Sequence, residues 1–387
     1  MADRTEAQRD RLRQLRRASQ ETKRPRRRPV PPPPVEEEEP LDAVPVQEVR
    51  PPDHGAPPPP EPPPAPPPPR RPPPRGQMPS YGSLLRFASE LRGAVGRGLD
   101  LPAALEGAAG ALPGPAARTA DRIAARLRGD YVQDEWGYDE EFVELVYPFF
   151  RFMYERWWRV TATGVDHVPA RGSALLVANH AGVLPWDATM MNVAIFEEHP
   201  QPRQPRFMVL DWAFRLPWVS VFMRRVGGVV ASPYNAIRLL EQGNLVMVFP
   251  EGAKGAGKPF SERYRLQRFG RGGFVELALR TGSPIVPVAI VGSEEIYPKL
   301  GESRLLARLL GAPYFPITPT FPALGALGAV PLPSRWRIEF CPPIDLSEHD
   351  PEAAEDRSLV FELSEQIRET IQEKLFENLL SRGSAFL

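Results

Sequence analysis

Apolar positions change their period along this chain. From Val160 onward, short apolar runs alternate with longer amphipathic stretches. Ala174–Ala178, Leu245–Phe249 and Ile285–Val291 are nearly unbroken apolar runs, as expected of strands buried on both faces. Arg159–Ala162, Arg206–Leu210 and Trp336–Phe340 read as further strands. Between them Pro185–Phe196, Pro217–Arg224, Ala236–Gln242, Gly273–Thr281 and Pro351–Leu380 carry helical periodicity, and Gly282 supplies a stop for the fourth. This alternation predicts an α/β fold, a mostly parallel twisted sheet with helices on both faces.

Upstream, Glu141–Val160 predicts a helix whose stripe of Phe142, Leu145, Val146, Phe149, Phe150, Met153, Trp157 and Trp158 is broken by Arg151, Glu155, Arg156 and Arg159. The stripe suits either a bilayer interface or packing on the α/β domain. Ser83–Val95 and Pro115–Arg128 predict short amphipathic helices. Between Arg308 and Arg335 the chain is uncharged and broken by six prolines, so no straight helix runs through it. That segment is either a plug under the sheet or an apolar surface that meets lipid.

Composition divides the chain further. Fifty of 387 residues are Pro, against an ordinary ~5%, and they crowd residues 1–80. That stretch predicts a disordered arm with a polyproline II bias, apart from a short charged helix over Thr5–Arg17. It is a solvated spacer, or a tether for a proline-binding partner or anionic lipid headgroups. The expected organisation is an arm at 1–80, a helical preface at 81–140, the α/β domain at 141–380 and a tail at 381–387. Lys+Arg and Asp+Glu both count 48, so net charge gives no reason to expect nucleic acid. A single cysteine, Cys341, fits a reducing compartment and reads as a buried apolar residue. No apolar leader and no membrane-spanning helix are expected, and the scattered histidines predict no metal site.

Candidate chemistry collects at the ends of the predicted strands. Asn179-His180-Ala181-Gly182 follows the first unbroken run, at the strand end where open α/β sheets place ligands. Asp187 falls in the first turn of the next helix, where the dipole favours a carboxylate. The two suit a general base and its orienting partner. Phe249-Pro250-Glu251-Gly252-Ala253-Lys254 closes the second run with an acid and a base on a glycine loop. Arg224-Arg225-Val226-Gly227-Gly228 suits an anion. Arg263, Arg265, Arg268 and Arg271 lead into Gly272-Gly273 and a helix N-terminus, also an anion site. Gly252-x4-Gly257-Lys258 imitates a phosphate loop, but Pro259 stands where its hydroxyl residue belongs. Val286-Pro287-Val288 places a proline inside a strand, marking a bulge or an edge.

Four of these blocks, in this order, resemble the glycerolipid acyltransferase family, which includes the 1-acyl-glycerol-3-phosphate acyltransferases. They are Asn179-His180 through Asp187, Arg224 to Val230, Phe249 to Lys254, and Val286-Pro287-Val288. The resemblance spans roughly Phe142 to Leu375. It departs from the family in two ways. Six residues, not four, separate His180 from Asp187, a spacing similar to a monoacylglycerol acyltransferase-like branch. Ala253-Lys254 stands where the family has Thr-Arg, so the charge is kept without the bidentate fork.

The resemblance implies a membrane-associated O-acyltransferase in phospholipid biosynthesis. His180 and Asp187 would be catalytic, and Glu251, Gly252, Lys254, Arg224, Arg225 and Arg271 would bind substrate. Acyl-CoA or acyl carrier protein would serve as acyl donor, with no further cofactor. The acceptor would be a glycerolipid, with a non-phosphate lipid alcohol or a hydrolase as the alternatives. A cytoplasmic position, peripheral on the inner face of the membrane, completes the expectation.

Overall fold

The computed structural model describes residues 79–182, 184–309 and 314–385. The proline-rich arm up to residue 78, the helix expected over Thr5–Arg17 and the last two residues of the tail lie outside them. Strands β1 Thr161–Thr163, β2 Ala174–Ala178, β3 Arg206–Val209, β4 Gly228–Val230, β5 Leu245–Val248 and β6 Ile285–Val291 alternate with helices. A separate two-stranded pair follows, β7 Gly301–Glu302 with β8 Pro316–Ile317, and β9 Arg337–Phe340 completes the main sheet.

The order across the main sheet is β1-β9-β6-β2-β5-β3-β4. From β6 to β4 every pairing is parallel. β9 runs antiparallel to β6, and β1 runs parallel to β9. The carboxyl ends of β2, β3, β4, β5 and β6 therefore share one edge, and the chain re-enters β1 and β9 from that same edge. Strands β2 and β6 are buried along their whole length, which is why their sequences are continuously apolar rather than alternating.

The helices are α1 Tyr81–Gly96, α2 Leu101–Ala109, α3 Gly114–Arg128, α4 Glu140–Phe152, α5 Trp186–Glu198, α6 Asp211–Phe214 and α7 Pro217–Arg225. After them come α8 Pro233–Glu241, α9 Gly252–Ala256, α10 Gly273–Thr281, α11 Arg304–Leu309 and α12 Arg357–Arg382. Leu176, Met247, Val288 and Ile338 face Tyr147 of α4, Met190 and Ile195 of α5 and Met223 of α7. On the other face Leu175, Val246 and Ala289 meet Leu239 of α8, Val275 of α10 and Ile367 and Ile371 of α12. Both faces are covered by helices, as the alternation required.

Several boundaries differ from the sequence reading for local reasons. The helix expected over Glu141–Val160 starts from an Asp139 cap and ends in a π-turn at Met153–Trp157. Arg159 then takes a positive φ of 47°, so the strand expected from Arg159 begins only at Thr161. Ser232 caps α8 by accepting the Asn235 amide, moving that helix start back to Pro233. The long C-terminal helix is preceded by a 3-10 turn over Pro351–Glu355, and Asp356 caps α12. β4 escaped notice because Gly228-Val229-Val230 is too short to show a period.

Pro287 is at neither an edge nor a bulge of its own strand. Its carbonyl accepts the Cys341 amide, and the offset falls on the β9 side, between the Val288↔Phe340 pairing and the Ile285↔Ile344 bridge. The described part of the uncharged segment, 314–334, is not a plug under the sheet. Half of the residues whose burial is described there are exposed, and the segment lies on the carboxyl edge between β6 and β9.

Candidate active site

The three central strands β5, β2 and β6 end side by side, and each delivers a polar residue just past its end. Asn179 follows β2, and its carboxamide donates to the Ile290 carbonyl at 2.9 Å and accepts the Ile290 amide at 2.8 Å. A side chain thus continues the β2–β6 ladder past its last backbone pair. Both partners are buried, so the next residue, His180, leaves the sheet from a fixed point.

Asp187, fully buried in the first turn of α5, accepts His180 Nδ1 at 2.6 Å. The same carboxylate accepts the Ala181 amide at 3.1 Å and the Ala188 amide at 2.8 Å. Six residues loop out between acid and base, yet the two close on each other because the first turn of α5 sits beside the end of β2. With Nδ1 committed to Asp187, Nε2 is the nitrogen left to act. The ring rests on Phe249 at 4.7 Å between centroids, and 19% of the side chain reaches solvent. Burial opposes charging of the imidazole. The charge and hydrogen bond of Asp187, with Glu251 behind, outweigh it and raise the His180 pKa above its ordinary value.

Glu251 is brought to the site, and both of its carboxylate oxygens are engaged by the protein itself. Its Oε1 accepts the His180 backbone amide at 3.0 Å, and its Oε2 accepts the Gln267 amide at 2.7 Å and Lys258 Nζ at 3.2 Å. Lys258 also lies 3.0 Å from Glu294, which follows β6, and donates to the Arg265 carbonyl at 3.2 Å. A buried cation between two buried carboxylates ties the loops after β2, β5 and β6 together. Burial pushes the Glu294 carboxyl up to about 7, against the pull of Lys258. Burial likewise works against the Lys258 charge, but Glu294 and Glu251 hold its pKa above the ordinary value. Lys258 was passed over in the sequence because its glycine spacing suggested a phosphate loop, and no local signal announced Glu294.

The remaining expected residues divide by edge. Gly252 takes a φ of +55° at the start of α9, and Lys254 on that helix is exposed. Arg271 is exposed before α10, which connects β5 to β6, so both cations lie on the same edge as His180. Arg224 and Arg225 do not. They end α7 just before β4 begins, which places them at the amino edge of the sheet. Arg225 stacks on Tyr131 and Phe142, and Arg224 on Phe214. The glycines after them serve packing: a Cβ on Gly228 would stand 2.9 Å from the Met223 carbonyl and 3.0 Å from the Phe207 ring.

Two further features frame the site. A narrow apolar cavity of about 50 Å³ runs between α4, α5 and α7, lined by Val143, Val146, Phe150, Thr189, Val193 and Phe222. It reaches Pro185, two residues before Asp187. Above the site Trp186 Nε1 donates to Tyr297 at 3.2 Å, whose hydroxyl donates to the Ala329 carbonyl at 2.6 Å. Tyr314 donates to the Ala256 carbonyl at 2.9 Å. The uncharged segment is thereby fastened around the mouth.

Comparison with known proteins gives the family. Residues 159–291 match the family described as Acyltransferase. The chain is 51% identical over 271 residues to "Uncharacterized protein Rv0502" of Mycobacterium tuberculosis, covering 70% of this chain and 76% of that protein. It is 24% identical over 165 residues to a Bos taurus protein named "DGAT1/2-independent enzyme synthesizing storage lipids", covering 43% of this chain and 48% of that protein. A 1-acyl-sn-glycerol-3-phosphate acyltransferase of Borreliella burgdorferi is 21% identical over 145 residues, 36% of this chain and 54% of that protein. The chain belongs to the glycerolipid acyltransferase family and is an acyltransferase of lipid metabolism.

Proposed function

We propose that the protein transfers a fatty acyl group from a thioester, acyl-CoA or acyl carrier protein, to a hydroxyl of a glycerolipid such as 1-acyl-glycerol-3-phosphate. The observation that supports this is the His180–Asp187 pair at the mouth of a strand end, with Nε2 left to act. In the proposed reaction Nε2 takes the proton of the acceptor hydroxyl as its oxygen attacks the thioester carbonyl. A C–O bond forms, the C–S bond breaks, and the thiolate leaves with the proton returned from the imidazolium. Asp187 holds the ring in the tautomer that presents Nε2 and stabilises the transient imidazolium. Glu251 fixes the backbone from which His180 projects. Lys254 and Arg271 supply positive charge for an acceptor phosphate. The acyl chain enters between α4 and α7, widening the apolar cavity there. The proposed setting is the cytoplasmic face of a membrane, where the acceptor resides and thiols stay reduced.

A second reading, a non-phosphate acceptor such as a monoacylglycerol, is favoured by the six-residue spacing between His180 and Asp187 and by the storage-lipid enzyme among the relatives. Labelled acyl-CoA offered with lipid alcohols, with and without phosphate, distinguishes the two by the product formed. His180→Ala should lower turnover by about 10²–10⁴ with the fold intact. Retention of more than a tenth of wild-type activity would remove His180 from the chemistry. Thioester loss that does not depend on any alcohol would make the protein a hydrolase.

A further inference from the structure

We propose that a cleft where β1 and β9 begin is a phosphate-binding site, built from guanidinium groups and distinct from the His180 mouth. Such a site goes beyond acyl transfer and does not depend on it.

The cleft has a volume of about 390 Å³ and is lined by Arg159, Thr161, Arg335, Trp336, Arg337 and Arg382. That is the size of a small-molecule site. Backbone pairing gathers these residues. Thr161 stands opposite Arg337 in the β1–β9 register. The Thr161 amide donates to the Trp336 carbonyl at 3.1 Å, and the Trp336 amide donates to the Trp158 carbonyl at 3.1 Å. The ladder thus runs past both strand starts and carries Arg335 to the turn that holds Arg159. There Arg159 takes its φ of 47°, a conformation that persists only where the surroundings over-determine it. The end of α12 closes the cleft. Arg337 Nη1 donates to the Ser381 hydroxyl at 2.9 Å, and Arg382 Nη1 donates to the Arg335 carbonyl at 3.0 Å.

Four guanidinium groups in one recess repel one another, and the acids at hand are already committed. Glu295 accepts both Nη atoms of Arg382, at 2.8 and 2.5 Å. The Arg382 side chain is only 6% exposed, and its Nε is buried without a partner among the described residues. Glu339 is held by Lys374 at 3.2 Å and by Asn378 at 2.7 Å. Among the described residues no carboxylate pairs with Arg335 or Arg337. One guanidinium fork satisfies a carboxylate, whereas a phosphate offers oxygens to several forks at once. The surplus of forks therefore selects a phosphate. In the sheet β9 and β1 stand two and three places from β2, roughly 10–14 Å at the ordinary strand spacing. A phosphate here would leave the imidazole clear, and neither Lys254 nor Arg271 lines the cleft.

Titration calorimetry of the full chain with inorganic pyrophosphate, CoA and 3′-dephospho-CoA tests this. Pyrophosphate should bind saturably to wild type, and to His180→Ala with equal affinity. Arg335→Gln with Arg337→Gln should weaken that binding about tenfold or more. Arg335→Gln alone, at an exposed position, should weaken it in the same direction and serves if the pair fails to fold. Two sources carry this chemistry. If CoA binds about tenfold more tightly than 3′-dephospho-CoA, and the double variant raises the KM for acyl-CoA with kcat unchanged, the cleft holds the nucleotide end of a donor. If pyrophosphate binds and CoA does not compete with it, the cleft holds free phosphate. Absence of pyrophosphate and CoA binding in wild type overturns the proposal, as does equal binding by the folded arginine variants. Acetate bound as tightly as pyrophosphate would also overturn it.

Discussion

At the scale of single residues, the His180–Asp187 pair makes a pH-dependent claim. A base must be unprotonated to act, and Asp187 raises the His180 pKa. The acid limb of kcat/KM should therefore lie above the ordinary histidine value of about 6.5. Asp187→Asn should lower the rate by about 10²–10⁴ and move that limb down. A limb that stays in place would mean that another group titrates. Lys258 makes a claim about stability. Removing it in Lys258→Met leaves Glu251 and Glu294 buried without their shared cation, a cost of about 3–5 kcal/mol. With a folded pKa of about 7 against an ordinary 4.5, Glu294 favours folding fully below 4.5, and this contribution is lost as pH rises through 7. The thermal deficit of Lys258→Met should accordingly shrink below pH 7. A deficit independent of pH would show that lost packing, not charge, is responsible. Cys341, buried with its thiol pushed up to about 12, should resist thiol reagents in the folded protein.

At the scale of elements, the site depends on how three strand ends are joined beyond their ladders. Asn179 fastens β2 to β6, and the Glu251–Lys258–Glu294 bridge fastens the loops after β5 and β6. Asn179→Ala orphans the amide and carbonyl of Ile290, each worth about 1–3 kcal/mol when buried and unpaired. It should lower the melting temperature and also kcat, because His180 projects from the next residue. Unchanged kcat in a destabilised Asn179→Ala protein would show that His180 is positioned by Asp187 and Glu251 alone. Gly272, the α10 cap at φ +84°, matters in a different way: a Cβ there would stand 2.6 Å from Val360 Cγ1, so the helix after the arginine run can seat against α12 only with glycine.

At the scale of the whole molecule, the two edges of the sheet are dissimilar. The amino edge receives the preface: Arg126 grips the fully buried Asp139, which caps α4, while the Asp139 amide bonds to the Arg225 carbonyl. The carboxyl edge holds His180, Asp187, Lys254 and Arg271. Among the described residues no helix is long and apolar enough to cross a membrane. Every side chain of the proposed chemistry lies between residues 179 and 294. Removing residues 1–78 should therefore leave acyl transfer to a detergent-dispersed acceptor within about twofold of wild type. A large loss in that assay would give the arm a part in the chemistry.

The sheet and the pairing of His180 with Asp187 were legible in the chain, because both are written over short distances. A strand buried on both faces must be apolar throughout, and Ala174–Ala178 and Ile285–Val291 are. His180 and Asp187 stand within one connection, so a strand end and a helix start suffice to bring them together. What joins distant segments was not legible. The bridge from Glu251 through Lys258 to Glu294 exists because β5, β2 and β6 lie in that order, an order no local pattern encodes. Arg224 and Arg225 show the converse: their composition suits an anion, yet their place before β4 puts them on the far edge. The uncharged segment could have been buried or exposed by composition alone. Its place between β6 and β9, where both strands meet the carboxyl edge, left it outside.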